Sequence, residues 1–295
     1  MNKLRSDKIA EETEGRARIL SGLQLKFVAS IAFLWSLFQL WYASPLPFIV
    51  GFGVFIDVPA RALHLGFGLF LAFLTFPLLK KNRNKKNNLF NFLLATVAFL
   101  VTFYLFYFYS EIVDRNGILL KHTISLFGKE YSFPTELLIG AIGILLLLEA
   151  TRRAIGIPLV VVASIFLIYS VFGQSMPEVI SHQGLSLKRL IGYHWFGGEA
   201  IFGIPISVSV SFVFLFVLFG SMLDYAGGGK YFLSLAIALV GKFRGGPAKA
   251  SIMASGLTGM ISGSSIANVV TTGTFTIPIM KKTGFSKEKA GAIEV

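Results

Sequence analysis

The sequence contains no cysteine. Disulfides, thiolate metal sites and a cysteine nucleophile are therefore excluded, and the redox compartment stays open. Charge is also scarce: Asp, Glu, Lys and Arg make up 14% of the 295 residues, against roughly 25% in a soluble domain. Histidine occurs four times. His122, His182 and His194 fall in segments read as loops, without the spacing of a metal site. No nucleophile–base pair and no paired carboxylates stand out, so the chain is not expected to be an enzyme or to need an organic cofactor. Gly227-Gly228-Gly229-Lys230 lacks the G-x-x-x-x-G-K-[ST] spacing of a phosphate loop.

What is present is apolar. Hydrophobic residues make up 54% of the chain, phenylalanine alone occurs 30 times, and the mean hydropathy is +0.71. That composition belongs to an integral membrane protein. The net charge of +12 would suit nucleic acid, but the basic residues sit in short clusters between apolar runs. Positive-inside topology explains them better, and no nucleic-acid partner is expected.

Six apolar runs read as spanning helices, at 27–43, 62–79, 89–110, 135–151, 154–177 and 200–223. The polar segment 1–24 reads as a cytoplasmic tail, so the N-terminus is inside. A signal peptide is the competing reading, but the charged leader is long and no A-x-A site follows the run. The loop KKNRNKKNN at 80–88 has five basic residues and marks the cytoplasmic side most strongly; lipid-headgroup contact is a second reading. Segments 44–59, 111–134 and 178–199 read as outside. His64 is expected to be packed or interfacial rather than a proton relay, and Glu149 to pair locally with Arg152 and Arg153 at i+3 and i+4. Residues 231–241 are too few to span and read as a helix on the cytoplasmic surface.

The segment 250–280 has 31 residues and no charge, and Gly, Ser, Thr and Asn supply 15 of them. One straight helix would run about 46 Å, too long for a hydrocarbon core about 30 Å thick. Ser262-Gly263-Ser264-Ser265 offers a break. It leaves two arms, each long enough to reach the bilayer centre, and the expected form is a re-entrant helical hairpin. A packed, Gly/Ser-rich spanning helix is the alternative. Lysines and an arginine flank both ends of the segment; a hairpin keeps both clusters inside, whereas a single span would not. Backbone at such a tip must be buried in protein or line a wet cavity. The first arm ends in free carbonyls suited to Na⁺, and the second begins with free N–H groups suited to an anion. Ser262, Ser264, Ser265, Asn268, Thr271 and Thr272 add neutral oxygens. Asn268 and Thr272 share a helix face.

These residues carry a family resemblance. RGGPAK, SGLTGMISGSSIANVVTTGTFTIPIMKKTGF and AGAIE, within 243–294, together with GIPISVSVSFVFLFVLFGSMLDYAGGGK at 203–230, resemble the large membrane subunit of TRAP transporters. RALHLGFGLFLAF looks like fusions in which the small subunit comes first, often paired with binding proteins of the TAXI class. The resemblance implies an all-α polytopic fold, the N-terminal part of an elevator-type transporter in a bacterial or archaeal cytoplasmic membrane. It divides the chain into a tail (1–24), a small-subunit-like region (25–134) and the start of the large subunit (135–295). It implies an organic-anion permease, the anion a carboxylate, served by an extracytoplasmic binding protein. The ion and substrate site would lie at Ser262, Gly263, Ser264, Ser265, Asn268, Thr271 and Thr272, with Na⁺ at Ser262, Ser264 and Asn268. Na⁺ is the expected coupling ion and H⁺ the alternative; the lack of a carboxylate inside 250–280 favours Na⁺. The family pattern includes a second hairpin, so the chain is expected to be an N-terminal fragment whose partner is the missing C-terminal half. A nonfunctional or scaffold fragment and a channel are the competing readings.

Overall fold

The computed structural model describes residues 17–18, 20–78, 89–115, 118–126, 129–262 and 265–294. The protein is all-α and polytopic, with one addition: the segment expected as an outside loop at 111–134 contains an antiparallel hairpin of β1 (His122–Leu126) and β2 (Lys129–Phe133). The chain forms two compact units, 16–211 and a second whose described part begins at residue 212.

The first unit holds α1 (Gly22–Ala43), α2 (Leu46–Val50), α3 (Asp57–Thr75), α4 (Leu89–Asp114), α5 (Thr135–Ala154), α6 (Ile157–Val171), α7 (Leu187–Ile191) and α8 (Ile204–Val208). Among the described residues, α1, α3, α4 and the helical run Ile204–Leu223 are long and apolar enough to cross a membrane. They fall on four of the six expected spans. The other two are helices that do not meet that length and composition. α5 has 20 residues but carries Glu136, Glu149, Arg152 and Arg153. α6 has only 15, because the chain leaves the α-helix at Phe172 for a 3₁₀ turn instead of continuing to 177.

α3 and α4 form the centre of this unit. The buried positions of α4 include Asn91, Ala95, Ala98, Thr102 and Leu105, alternating steps of four and three that keep one helix face toward a partner. Small residues let the helices touch, as packing in lipid favours. A Cβ on Gly66 of α3 would sit 2.5 Å from Thr102 Oγ1 of α4. α5 makes a similar slot with Gly140 and Gly143, filled by the fully buried Trp195. On α1, Phe33, Leu34, Leu37 and Leu40 are exposed, as a lipid-facing helix requires.

Several polar side chains within the apolar helices of this unit have partners. Trp35 Nε1–H donates to His64 Nδ1 at 3.1 Å, and His64 Nε2 lies 3.0 Å from Ser209 Oγ, so His64 is a packed histidine. Gln39, on α1, donates from Nε2 to the Val210 carbonyl at 2.8 Å. Val210 lies in a π-helical turn, Ser209–Val213, where side chains can satisfy carbonyls that the α-pattern would have bonded.

The second unit holds α9 (Phe214–Tyr225), α10 (Gly228–Val240), α11 (Gly246–Ser262), α12 (Ser265–Lys282) and α13 (Lys287–Glu294). α10 starts three residues before the expected surface helix and has a partner: its Ala236 packs with Ala250 and Ala254 of α11, all almost fully buried. The turn between them uses Gly245 at φ +74, in the left-handed region that glycine enters without a Cβ penalty.

Candidate functional site

α11 and α12 are the two arms expected from the sequence. They pack against each other, and they extend four residues before and two beyond the expected 250–280. The separation falls where the Ser/Gly cluster was read as a break, since one helix ends at Ser262 and the next begins at Ser265. Of the seven expected site residues, Gly263 and Ser264 lie outside the described residues. Ser262, Ser265, Asn268 and Thr271 are placed by the backbone on their helices. Thr272 is buried, at 3% exposure. Its position four residues after Asn268 keeps the two on one helix face.

At Thr272 the structure shows a group that sequence reasoning missed. Glu294, 3% exposed, lies among hydroxyls of both arms. Ser251 Oγ of α11 donates to Glu294 Oε2 at 2.5 Å. Thr272 Oγ1 donates to Oε1 and Thr276 Oγ1 to Oε2, both from α12. Segment 250–280 has no carboxylate of its own, yet the fold brings Glu294 to it, so the lack of a carboxylate inside the segment does not by itself favour Na⁺ over H⁺.

Local sequence explains how Glu294 arrives. α12 stops at Thr283-Gly284, where Gly284 takes φ +97 and Phe285 N–H bonds back to the Met280 carbonyl. Such a glycine stop satisfies the last carbonyls and turns the chain. Ser286 then caps α13 by accepting from Lys289 N–H at 3.2 Å. The eight-residue helix carries its last turn about 12 Å back along the arms. Gly273 keeps the space open: a Cβ there would lie 3.2 Å from Glu294 Cγ.

In the first unit, Glu149 and Glu136 each sit in ion pairs. Glu149 accepts from Arg152 and Arg153 at 2.7 Å each, and Arg153 also donates to Asn91 Oδ1 at 3.0 Å. Glu136, completely buried, accepts from Arg115 Nη2 (2.6 Å), Tyr104 OH (3.0 Å) and Leu120 N–H (2.6 Å). The hydrogen bond to Glu136 is the chief cause that raises the Arg115 pKa. His182 and His194 bond backbone carbonyls. Among the described residues, no three His, Cys, Asp or Glu side chains are grouped to hold a metal.

The second unit therefore presents two small-residue arms, hydroxyls along their contact and one buried carboxylate at the base. Among the described residues, this arrangement brings hard oxygen atoms of both arms together.

Comparison with known proteins bears on this region. The sequence profile of the "Tripartite ATP-independent periplasmic transporter, DctM component" matches residues 142–295. The chain is 29% identical to the uncharacterized protein YgiK of Salmonella typhimurium over 166 residues, which is 56% of this chain and 34% of that protein. It is 42% identical to the C4-dicarboxylate TRAP transporter large permease protein DctM of Vibrio cholerae over 78 residues, 26% of this chain and 17% of that one. It is 38% identical to the protein of the same description from Rhodobacter capsulatus over 73 residues, 25% and 17% of the two chains. The chain thus spans about a third or less of the length of these relatives. No solved structure matches it.

Proposed function

Because the chain belongs to the DctM-component family of tripartite ATP-independent periplasmic transporters, we propose that it is membrane-permease sequence of a secondary transporter that imports an organic anion. The relatives named for C4-dicarboxylates make a C4-dicarboxylate the first substrate to test. An inward Na⁺ gradient drives uptake, with H⁺ as the alternative coupling ion, and an extracytoplasmic binding protein of the TAXI class delivers the solute. Residues 25–134 supply small-subunit-like helices fused ahead of the permease. The membrane is the bacterial or archaeal cytoplasmic membrane, and the N-terminus and the 80–88 basic loop lie inside.

The observation that carries this reading is the pair of packed arms, α11 and α12, which hold the uncharged segment 250–280 inside the matched region. The end of α11 offers carbonyls to Na⁺ and the start of α12 offers N–H groups and a positive dipole end to a carboxylate. Ser262, Gly263, Ser264, Ser265, Asn268, Thr271 and Thr272 are the residues of that site, with Na⁺ at Ser262, Ser264 and Asn268. The work is binding and translocation, with no covalent chemistry.

The test is uptake of radiolabelled succinate by proteoliposomes holding the permease that carries this sequence. Accumulation should need both an inward Na⁺ gradient and the binding protein. Flux of equal size without the binding protein would refute the reading and favour a channel.

A further inference from the structure

We propose that a cavity in the first unit, where the C-terminal end of α4 meets α7, binds the phosphate headgroup of an anionic membrane phospholipid. The cavity holds about 670 Å³, within the roughly 300–1,000 Å³ usual for ligand sites. Tyr109, Val113, Ile118, Lys188, Arg189 and Tyr193 line it. Charge decides the sign of the guest. Two cations line the cavity, and among the described residues no Asp or Glu does; Glu111 and Asp114 flank Ile112-Val113 on α4 without reaching the lining. Among the described residues, none of the four ion pairs includes Lys188 or Arg189, and neither side chain makes a hydrogen bond. The Ser186 hydroxyl accepts from Arg189 N–H at 3.3 Å and starts the short helix that carries both cations.

An exposed Lys–Arg pair in bulk water simply stays hydrated, so the setting selects the guest. α4 is long and apolar enough to cross a membrane, and its last turns carry Tyr104, Tyr107 and Tyr109. Tyrosines gather at headgroup level, which puts the cavity among lipid phosphates. Arg forks onto phosphate oxygens with two parallel N–H bonds, and Lys adds a point charge. The hydroxyls of Tyr109 and Tyr193 make no hydrogen bond among the described residues, so both can donate to the same group. Beside the cations, Val113 and Ile118 are 50% and 67% exposed. A small soluble anion would leave these two wet, whereas the glycerol and first methylenes of a lipid cover them. Gly192 keeps the cavity open. Its backbone is αR at φ −57, ψ −48, and a Cβ there would meet only Leu119 Cδ2, at 3.9 Å. A longer side chain at 192 would therefore fill the space without backbone strain.

The site depends on neither the transported solute nor the coupling ion, so lipid binding tests it apart from uptake. The purified protein in a neutral maltoside detergent is titrated with dioleoylphosphatidylglycerol and followed by native mass spectrometry. Saturable binding of a first lipid is expected, with dioleoylglycerol, which has the chains but no phosphate, weaker by roughly tenfold. Lys188→Gln/Arg189→Gln should weaken phosphatidylglycerol by roughly tenfold as well. Gly192→Leu keeps both cations and fills the cavity, and it should weaken binding too. Lys242→Gln/Arg244→Gln removes the same charge from an exposed stretch of the second unit and should change nothing. Far-UV circular dichroism checks that each variant is folded. The proposal is overturned if dioleoylglycerol binds as tightly as phosphatidylglycerol, or if the folded cavity variants bind like the wild type. It is equally overturned if the second-unit variant loses as much affinity. Displacement of the lipid by equimolar glycerol 3-phosphate or succinate would also overturn it and assign the cavity to a soluble anion.

Discussion

Replacing Glu136 with alanine tests how the C-terminal end of α4 and the N-terminal end of α5 are held. The side chain is 0% exposed and takes three donors: the Arg115 guanidinium, the Tyr104 hydroxyl and the Leu120 backbone N–H. Removing one partner of a buried ion pair typically costs about 3–5 kcal/mol, because the other charge is left without compensation. Arg115 is 24% exposed and can recover some hydration, which lowers its share. The part-buried Leu120 N–H and Tyr104 OH recover hydration only in part, and an unsatisfied buried group costs about 1–3 kcal/mol. These terms overlap, so Glu136→Ala should destabilise by about 3 kcal/mol. Glu136→Gln keeps an acceptor and should lose roughly half as much. The double change Arg115→Met/Glu136→Leu removes the charge together with its partner, and it should be less destabilised than Glu136→Ala alone. The assay is reversible SDS titration in mixed micelles, followed by far-UV circular dichroism. A loss under about 0.5 kcal/mol for Glu136→Ala, the range of an ordinary surface change, would refute the reasoning.

Two further outcomes follow. Gly143→Ala should destabilise by about 1–3 kcal/mol through overpacking, since its Cβ would lie 2.3 Å from the Trp195 ring; Trp195→Leu should relieve part of that loss in the same SDS titration. At the start of α13, hydrogen bonds from its own backbone N–H and from the Ser286 hydroxyl lower the Glu288 pKa. A lowered pKa gives a contribution that is complete above the unfolded-state value and is lost as pH falls through the folded-state value. Hydrogen exchange across 287–294 should therefore show added fraying on acidification, and Glu288→Gln should remove that step.

The hairpin was legible in the sequence because two independent physical constraints agreed on it. Its length without charge exceeded a bilayer, and basic residues flanked both ends. The split between α11 and α12 falls where the Ser/Gly cluster stands. The packed state of His64 was also legible, as a lone imidazole in an apolar run needs partners; the identities of Trp35 and Ser209 were not, because they come from 29 and 145 residues away. Glu294 was hidden for a related reason. It follows Lys287-Glu288-Lys289, which reads as a solvated helix, and its contact with Ser251 spans 43 residues. Only the Gly284 stop and the Ser286 cap signalled that the chain turns back. The spans were less legible at α5, which is long enough but carries four charged residues, and at α6, where the break at Phe172 ends the helix early. Gly140 and Gly143 carried no signal that a tryptophan some fifty residues later fills the space they leave.

The central claim is that the arms from Gly246 to Lys282 form the ion and substrate site of a TRAP-type permease. It is tested most directly by Na⁺-dependent succinate uptake in proteoliposomes carrying Ser264→Ala/Asn268→Ala, with the binding protein present and membrane insertion verified. The account predicts that the half-saturating Na⁺ concentration rises at least tenfold, equivalent to about 1.4 kcal/mol, with the inserted amount unchanged. An unaltered Na⁺ dependence in the inserted variant would contradict it.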